Sequence, residues 1–216
     1  FASIKLGSPK NFAPNAHCHN DIMSIELWYD GKPIFIDPGT FCYTSDKNKR
    51  NYFRSNQNHN TITINDKEYN NFDDDSFYIK WVTKSTIKEW RVNENSIKFI
   101  GLNDLMNGVY IERTVEYFFS NQSYIITDFV RGDLNLNDII RSNWLLHSSI
   151  KLDLNSNKNK LYNNEFELKF SNSQKCKIVD SYFSPQYGVM KKTNSIISSF
   201  TKNGDGEYIS KLILSK

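Results

Sequence analysis

A chain of 216 residues with a net charge of +3 and a mean hydropathy of −0.59 is long enough for a packed core, and its mixed charges form no basic stripe of the kind that tracks nucleic-acid phosphates. No apolar run reaches bilayer-spanning length, so a membrane span is not expected. Three cysteines, Cys18, Cys42 and Cys176, without Cys-x-x-Cys spacing, argue against a disulfide framework. The opening FASIKLGSPK has neither an initiator Met nor a basic-then-apolar leader, and reads as part of something longer.

The hydrophobic period is two. IELWYDGKPIFID (25–37) predicts two short strands joined at Asp30-Gly31, a dipeptide suited to the positive φ of a tight hairpin turn. Further strands are predicted at 60–66, 77–83, 96–102, 109–118, 123–132, 141–147, 166–170, 175–179, 195–201 and 207–214. β-Branched and aromatic residues fill these runs, and Asn, Asp, Ser and Gly separate them. The polar tract 153–165 reads as a loop or hairpin tip. No stretch carries a useful i, i+3, i+4 apolar face, so no helix is expected. The prediction is an all-β fold, a large antiparallel β-sandwich, as one domain over 1–216. A composition shift near residue 135 is the weaker alternative boundary.

Chemistry concentrates at NAHCHND (15–21), which holds two of the four histidines. If this stretch is extended, His17, His19 and Asp21 share one face, and Cys18 points away into packing. Asp37 ends an apolar strand at a Pro-Gly turn, and His59 stands just before another strand. Two imidazoles and a carboxylate suit zinc, with water or substrate in a fourth position. Hydrogen-bonded histidines at a sheet end are the competing reading, and spacing alone leaves both open.

The runs HCHNDIMSIELWYDGKPIFIDPGTFCYT and RNYFRSNQNHNTITIND, with SPQYG at 184–188, resemble the C-terminal domain of the heparinase II/III-like polysaccharide lyases. The matching residues include His17, His19, Asp21, Ser24, Gly31, Asp37, Pro38, Gly39, Thr40, Arg50, Arg54, His59, Asn60 and Thr61. Ala16, Met23 and Ile25 depart from that pattern without removing a polar group. The resemblance implies a β-sandwich packed against an N-terminal α/α-toroid domain absent from this chain, with polysaccharide held between the two. It assigns a structural zinc to His19, Asp37 and His59, and the catalytic-site histidine to His17. One ring then holds metal and its neighbour faces sugar.

The implied reaction is β-elimination on a uronic-acid-containing polysaccharide such as a glycosaminoglycan, alginate or a bacterial surface polymer. It requires a neutralised carboxylate, a base for the adjacent proton and an acid for the leaving oxygen. His17 is suited to act as base or charge stabiliser, while the metal fixes its loop. The family's Asn and Tyr catalysts belong to the toroid, so the chain alone is expected to fold but not to cleave. Arg50 and Arg54 are candidates for binding anionic sugar, or for pairing with Asp46 or Glu68. Tyr43 and Tyr187 are candidate cleft residues, or ordinary sheet packing. Asp21 is read as orienting its neighbours, His147 as a core or edge residue, and Glu112 and Asp128 as sheet-surface charges. The alternative function is a non-catalytic module that binds acidic glycan. A metal-dependent hydrolase would need more carboxylates beside the histidines. The substrate class implies a bacterial protein that is periplasmic or secreted.

Overall fold

A computed structural model describes residues 1–7, 17–72, 76–155, 160–163, 166–171, 175–202 and 208–215. Ala16 and Glu207 lie outside them, as do 156–159 and 164–165 of the polar tract.

Fifteen strands build the described fold: β1 (Ala2–Ile4), β2 (Ile25–Tyr29), β3 (Lys32–Phe35), β4 (Ile62–Ile64), β5 (Lys84–Val92), β6 (Ser96–Asp104), β7 (Val109–Phe118), β8 (Ser123–Gly132), β9 (Ile139–Leu145), β10 (Asp153–Asn155), β11 (Lys160–Tyr162), β12 (Glu167–Ser171), β13 (Lys175–Gln186), β14 (Val189–Thr201) and β15 (Tyr208–Ser215). All pair antiparallel. One layer is an eight-stranded sheet ordered β10-β11-β12-β15-β8-β7-β6-β5. The facing layer joins the sheets β13-β14-β9-β4 and β1-β2-β3, because a Phe35–Leu146 bridge carries β3 onto the end of β9. The alternating apolar positions read from the sequence meet between the layers. Ile25, Leu27, Phe35, Trp144 and Ile196 pack there against Phe99, Val115, Ile126, Leu168 and Leu214. The all-β sandwich expected from the period of two is the observed fold.

The Asp30-Gly31 hairpin forms as expected, with φ of 49° and 74° at its central residues. Two expectations fail. Residues 77–83 form no strand, only an isolated bridge between Lys80 and Asn71, while the strand lies further on, at 84–92. That strand, β5, is a sheet edge, largely exposed on both faces, so it carries no alternation to read. A helix, α1, also occupies Lys47–Arg54. Asp46 caps it by accepting from the Lys49 N–H at 3.0 Å. Its buried positions, Arg50, Phe53 and Arg54, have helical spacing, but two of the three are arginines, which an apolar-periodicity search passes over.

Candidate functional site

The short 3₁₀ turn Asn56–Asn58 delivers His59 to the sandwich rim, fully buried. Its Nδ1–H donates to the Ser55 carbonyl at 2.7 Å, which leaves Nε2 with a lone pair facing inward. Two partners meet that nitrogen: His19 Nδ1 at 3.2 Å and Asp37 Oδ2 at 3.4 Å. Asp37 is held by the turn that follows it, since Gly39 N–H donates to its Oδ1 at 2.7 Å. The other ring nitrogen of His19, Nε2, faces Thr40 Oγ1 at 3.1 Å and the Arg50 guanidinium at 3.2 Å. Arginine can only donate, so this network places the His19 proton on Nδ1, directed at His59.

Asp21 completes the cluster. Donor atoms of His19, Asp21 and His59 lie within 4.8 Å of one another, and all three residues are buried. Asp21 is 5% exposed; its Oδ2 accepts from Lys5 Nζ at 2.5 Å, and its Oδ1 has no hydrogen-bond partner. Burial raises the Asp21 carboxyl pKa, with the charges of His59 and Lys5 pulling it back. Burial, followed by the His59 and Arg50 charges, holds His19 well below the ordinary imidazole range. The buried His19 ring therefore resists protonation, as a metal ligand must.

His17 stands apart from this cluster. It is exposed, and its Nδ1 lies 2.9 Å from the Tyr43 hydroxyl with the two rings edge to face. Residues 17–21 are not a regular strand, so the expected single face is corrected: His19 and Asp21 turn inward together, while His17 turns out. The segment ends in a turn closed by the Ser24 N–H donating to the Asp21 carbonyl at 2.9 Å, in which Met23 has a left-handed φ of 65°, a strained backbone state for its residue type. Tyr43 is stacked between Phe77 and Tyr187, at 5.5 and 5.8 Å between ring centroids. The Arg50 guanidinium, 4.8 Å from the Tyr43 ring centroid, links this aromatic wall to the buried histidines behind it.

The distant motifs meet here. Ser184 N–H donates to the Pro38 carbonyl at 2.7 Å, Ser184 Oγ donates to the Thr40 carbonyl at 3.2 Å, and Gly188 N–H donates to the Phe41 carbonyl at 2.8 Å. These bonds bring Tyr187 to Tyr43. Arg50 and Arg54 are fully buried and donate to backbone carbonyls, Ser76 for both and Tyr78 for Arg54. They hold the segment bearing Phe77 from behind. His147 is partly buried, with Nδ1 at 2.7 Å from Ser149 Oγ, away from the cluster.

Sequence reasoning misplaced one residue and missed its partner. Asp128, read as a surface charge, is 1% exposed and paired in fork geometry with the fully buried Arg113 at 2.6 and 2.8 Å. Arg113 also donates to the carbonyls of Met23 at 2.6 Å and Asn60 at 2.5 Å, and so clamps the segments carrying Asp21 and His59. The only sequence signal was a charge in the inward register of a strand, Val109–Phe118, that is otherwise apolar on that face.

The two-layer antiparallel sandwich is the fold of heparinase III structures. It matches a solved heparinase III with a TM-score of 0.81 at 18% identity, covering 99% of this chain and 32% of that one. It matches heparan sulfate lyase HepC from Pedobacter heparinus with a TM-score of 0.78 at 18% identity, again covering 99% and 32%. A heparin-sulfate lyase of Bacteroides stercoris is 31% identical over 140 residues, 62% of this chain and 19% of that protein. The chain thus spans under a third of the length of these relatives. The family model for the heparinase II/III-like C-terminal domain matches residues 1–210, and the chain belongs to that family.

Proposed function

We propose that this chain is the β-sandwich part of a bacterial polysaccharide lyase that cleaves uronic-acid-containing chains by β-elimination, with His17 as its catalytic residue. The observation that carries the reading is the separation of roles at the rim. One histidine lies open on an aromatic wall, while two others are buried against carboxylates directly behind it.

Zinc fits the inner cluster. Bonds of 2.0–2.2 Å place the ligand atoms of a tetrahedral ion roughly 3.3–3.6 Å apart. The His19–His59 and His59–Asp37 spacings of 3.2 and 3.4 Å agree with that edge length, although the residues whose donor atoms all lie within 4.8 Å of one another are His19, Asp21 and His59. His19, His59 and Asp37 would hold the ion, which supplies a rigid brace for the 17–21 segment. Its binding requires the His19 proton to leave Nδ1 for Nε2, where Thr40 Oγ1 can accept it.

The chain's own groups then act on the sugar. The Tyr43 hydroxyl orients the His17 ring and fixes which nitrogen faces substrate. His17 takes the proton beside the uronate carboxylate or steadies the charge that develops there. Tyr187 and Phe77 extend the wall along which sugar rings pack. Arg50 and Arg54 support that wall from inside. A toroid domain of the parent protein supplies the opposite side of the cleft and the remaining catalysts. The relatives, a heparin-sulfate lyase and a heparan sulfate lyase, favour a heparan-type glycosaminoglycan as substrate, and a polymer of that size calls for an enzyme in the periplasm or outside the cell. A simple glycan-binding module would carry its cations on the sugar-facing surface, whereas Arg50 and Arg54 are buried.

The test is His17→Ala in the full-length protein, assayed on a panel of uronate polymers by the ultraviolet absorbance of unsaturated product. Turnover is expected to vanish with the melting temperature unchanged. Retained turnover would overturn the assignment of His17.

A further inference from the structure

We propose that one further strand completes this sandwich: the segment of the parent protein that runs into Phe1, laid antiparallel along the free edge of β1, closes an apolar groove between the two layers. The inference rests on the reading of this chain as part of a longer protein, and not on its chemistry.

The groove has a volume of about 650 Å³ and lies far from the histidines. Ala2, Ile4 and Leu6 line one side, and Ile87, Trp90 and Phe99 the other. In the β5–β6 ladder Ile87 stands opposite Gly101, and Trp90 opposite Phe99. Opposed residues of a ladder share a face, and Gly101 and Phe99 are buried on the inward one, so Ile87 and Trp90 face inward too. Yet they are 62% and 66% exposed. Among the described residues the facing layer ends at β1, with no strand above β5 to cover them. Inward-facing apolar side chains left in water along an open sheet edge invite pairing with another strand.

The backbone of β1 defines what fits. Phe1 and Trp28 exchange hydrogen bonds: Phe1 N–H donates to the Trp28 carbonyl at 3.1 Å, and Trp28 N–H to the Phe1 carbonyl at 2.7 Å. Such pairs alternate along an antiparallel ladder, so the N–H and C=O groups of Ala2 and Ile4 point away from β2. That edge carries no strand among the described residues. A row of backbone donors and acceptors beside an apolar trough complements an extended strand, which pairs along the edge and sets alternate side chains in the trough. A helix or a lipid chain would leave the edge groups unmet.

The parent protein has such a segment at hand. The solved heparinase III and HepC chains are about three times as long as the region matched, and the family model is that of a C-terminal domain, so most of the parent comes before these residues. Phe1 itself lines the groove, so the chain leading into it starts from the rim. A short turn there returns that chain along β1. The far end of the groove is closed, because Gly7 N–H donates to Ser85 Oγ at 3.1 Å and ties the end of β1 to β5. Covering Ala2 to Leu6 takes about five residues, roughly 17 Å of strand, with apolar residues at alternate positions.

The experiment uses the full-length parent. Hydrogen exchange read on residues 1–7 reports the β1 edge, and acrylamide quenching, taken as the difference between wild type and Trp90→Phe, reports the trough. The amides of Ala2 and Ile4 should exchange about 100-fold or more slower than unpaired amides, and Trp90 should be shielded. Serine in place of the apolar residues just before Phe1 should abolish both effects. Fast exchange with an open Trp90 in the wild type overturns the proposal, as does protection that survives the serine replacement. Protection that disappears on dilution, together with a dimer in sedimentation, assigns the groove to a second copy and also overturns it. If the serine variant does not fold, a photo-reactive benzoylphenylalanine at position 90 decides: capture of the segment before Phe1 supports the added strand, and capture of anything else overturns it. A mature protein that begins at Phe1 defeats the longer-parent reading beneath the proposal, whereas loss of the lyase assignment leaves the proposal standing.

Discussion

Arg113 offers the sharpest test of how this sandwich holds its rim together. The guanidinium is fully buried, makes two bonds to Asp128 and one each to the Met23 and Asn60 carbonyls, and lies 5.1 Å from the Trp144 ring centroid. Arg113→Met keeps most of the packing volume but removes all four donated bonds and strands the Asp128 carboxylate in the core. Breaking a buried pair from one side costs about 3–5 kcal/mol. The two carbonyls that also lose their donor place this case toward the upper end. At about 1.4 kcal/mol per factor of ten, the unfolding constant should rise on the order of 10³-fold. That is a large part of the ~5–15 kcal/mol available to a typical domain. The assay is guanidinium unfolding of the chain, followed by tryptophan fluorescence. Arg113→Met combined with Asp128→Leu removes the stranded charge and should recover roughly half of the loss. A single variant within about 1 kcal/mol of wild type, or a double variant as unstable as the single, would refute the argument.

Three other outcomes are expected. Tyr43→Phe keeps the ring stack but frees the His17 ring, so kcat of the full-length enzyme should fall about tenfold with KM nearly unchanged; an equal kcat would remove Tyr43 from the orienting role. Gly39 has a φ of 73°, and a Cβ there would overlap the Ser184 carbonyl oxygen. Gly39→Ala should therefore cost about 2 kcal/mol in chemical unfolding and weaken metal retention through Asp37, and unchanged stability would contradict it. In metal-free protein, His19 is held well below its unfolded pKa of about 6.5 by burial, so between those two values the unfolded chain carries the extra proton. Stability should fall as pH drops below about 6.5, by up to roughly 1.4 kcal/mol per unit. Asp21 and Glu68, whose carboxyl pKa values burial raises, work in the opposite direction further down the scale. A flat unfolding midpoint between pH 7.5 and 5.5 would count against the buried neutral imidazole.

The strands β6, β7 and β8 were legible nearly to the residue because each has one face buried, and alternation records that directly. The edge strand at 84–92 was not, because it has no covered face to imprint a pattern. The helix at 47–54 was hidden because arginines, not aliphatic residues, fill its buried positions. At the site, spacing pointed to His17, His19 and Asp21 but gave the wrong facing for His17, since residues 17–21 form no strand and the period of two does not apply there. The stacking of Tyr43, Phe77 and Tyr187 was invisible for a different reason: three distant segments create it, and no local pattern records the meeting.

The bond between Ser184 and the Thr40 carbonyl crosses 144 residues of chain. A ribosome releasing this segment in order exports the histidine loop early and must finish almost the whole of it before the last aromatic ring can dock. Loop closure of that length is slow and entropically demanding, and Ile196 and Leu214 of the core lie further along the chain still, so the aromatic wall and the core beneath it are completed together.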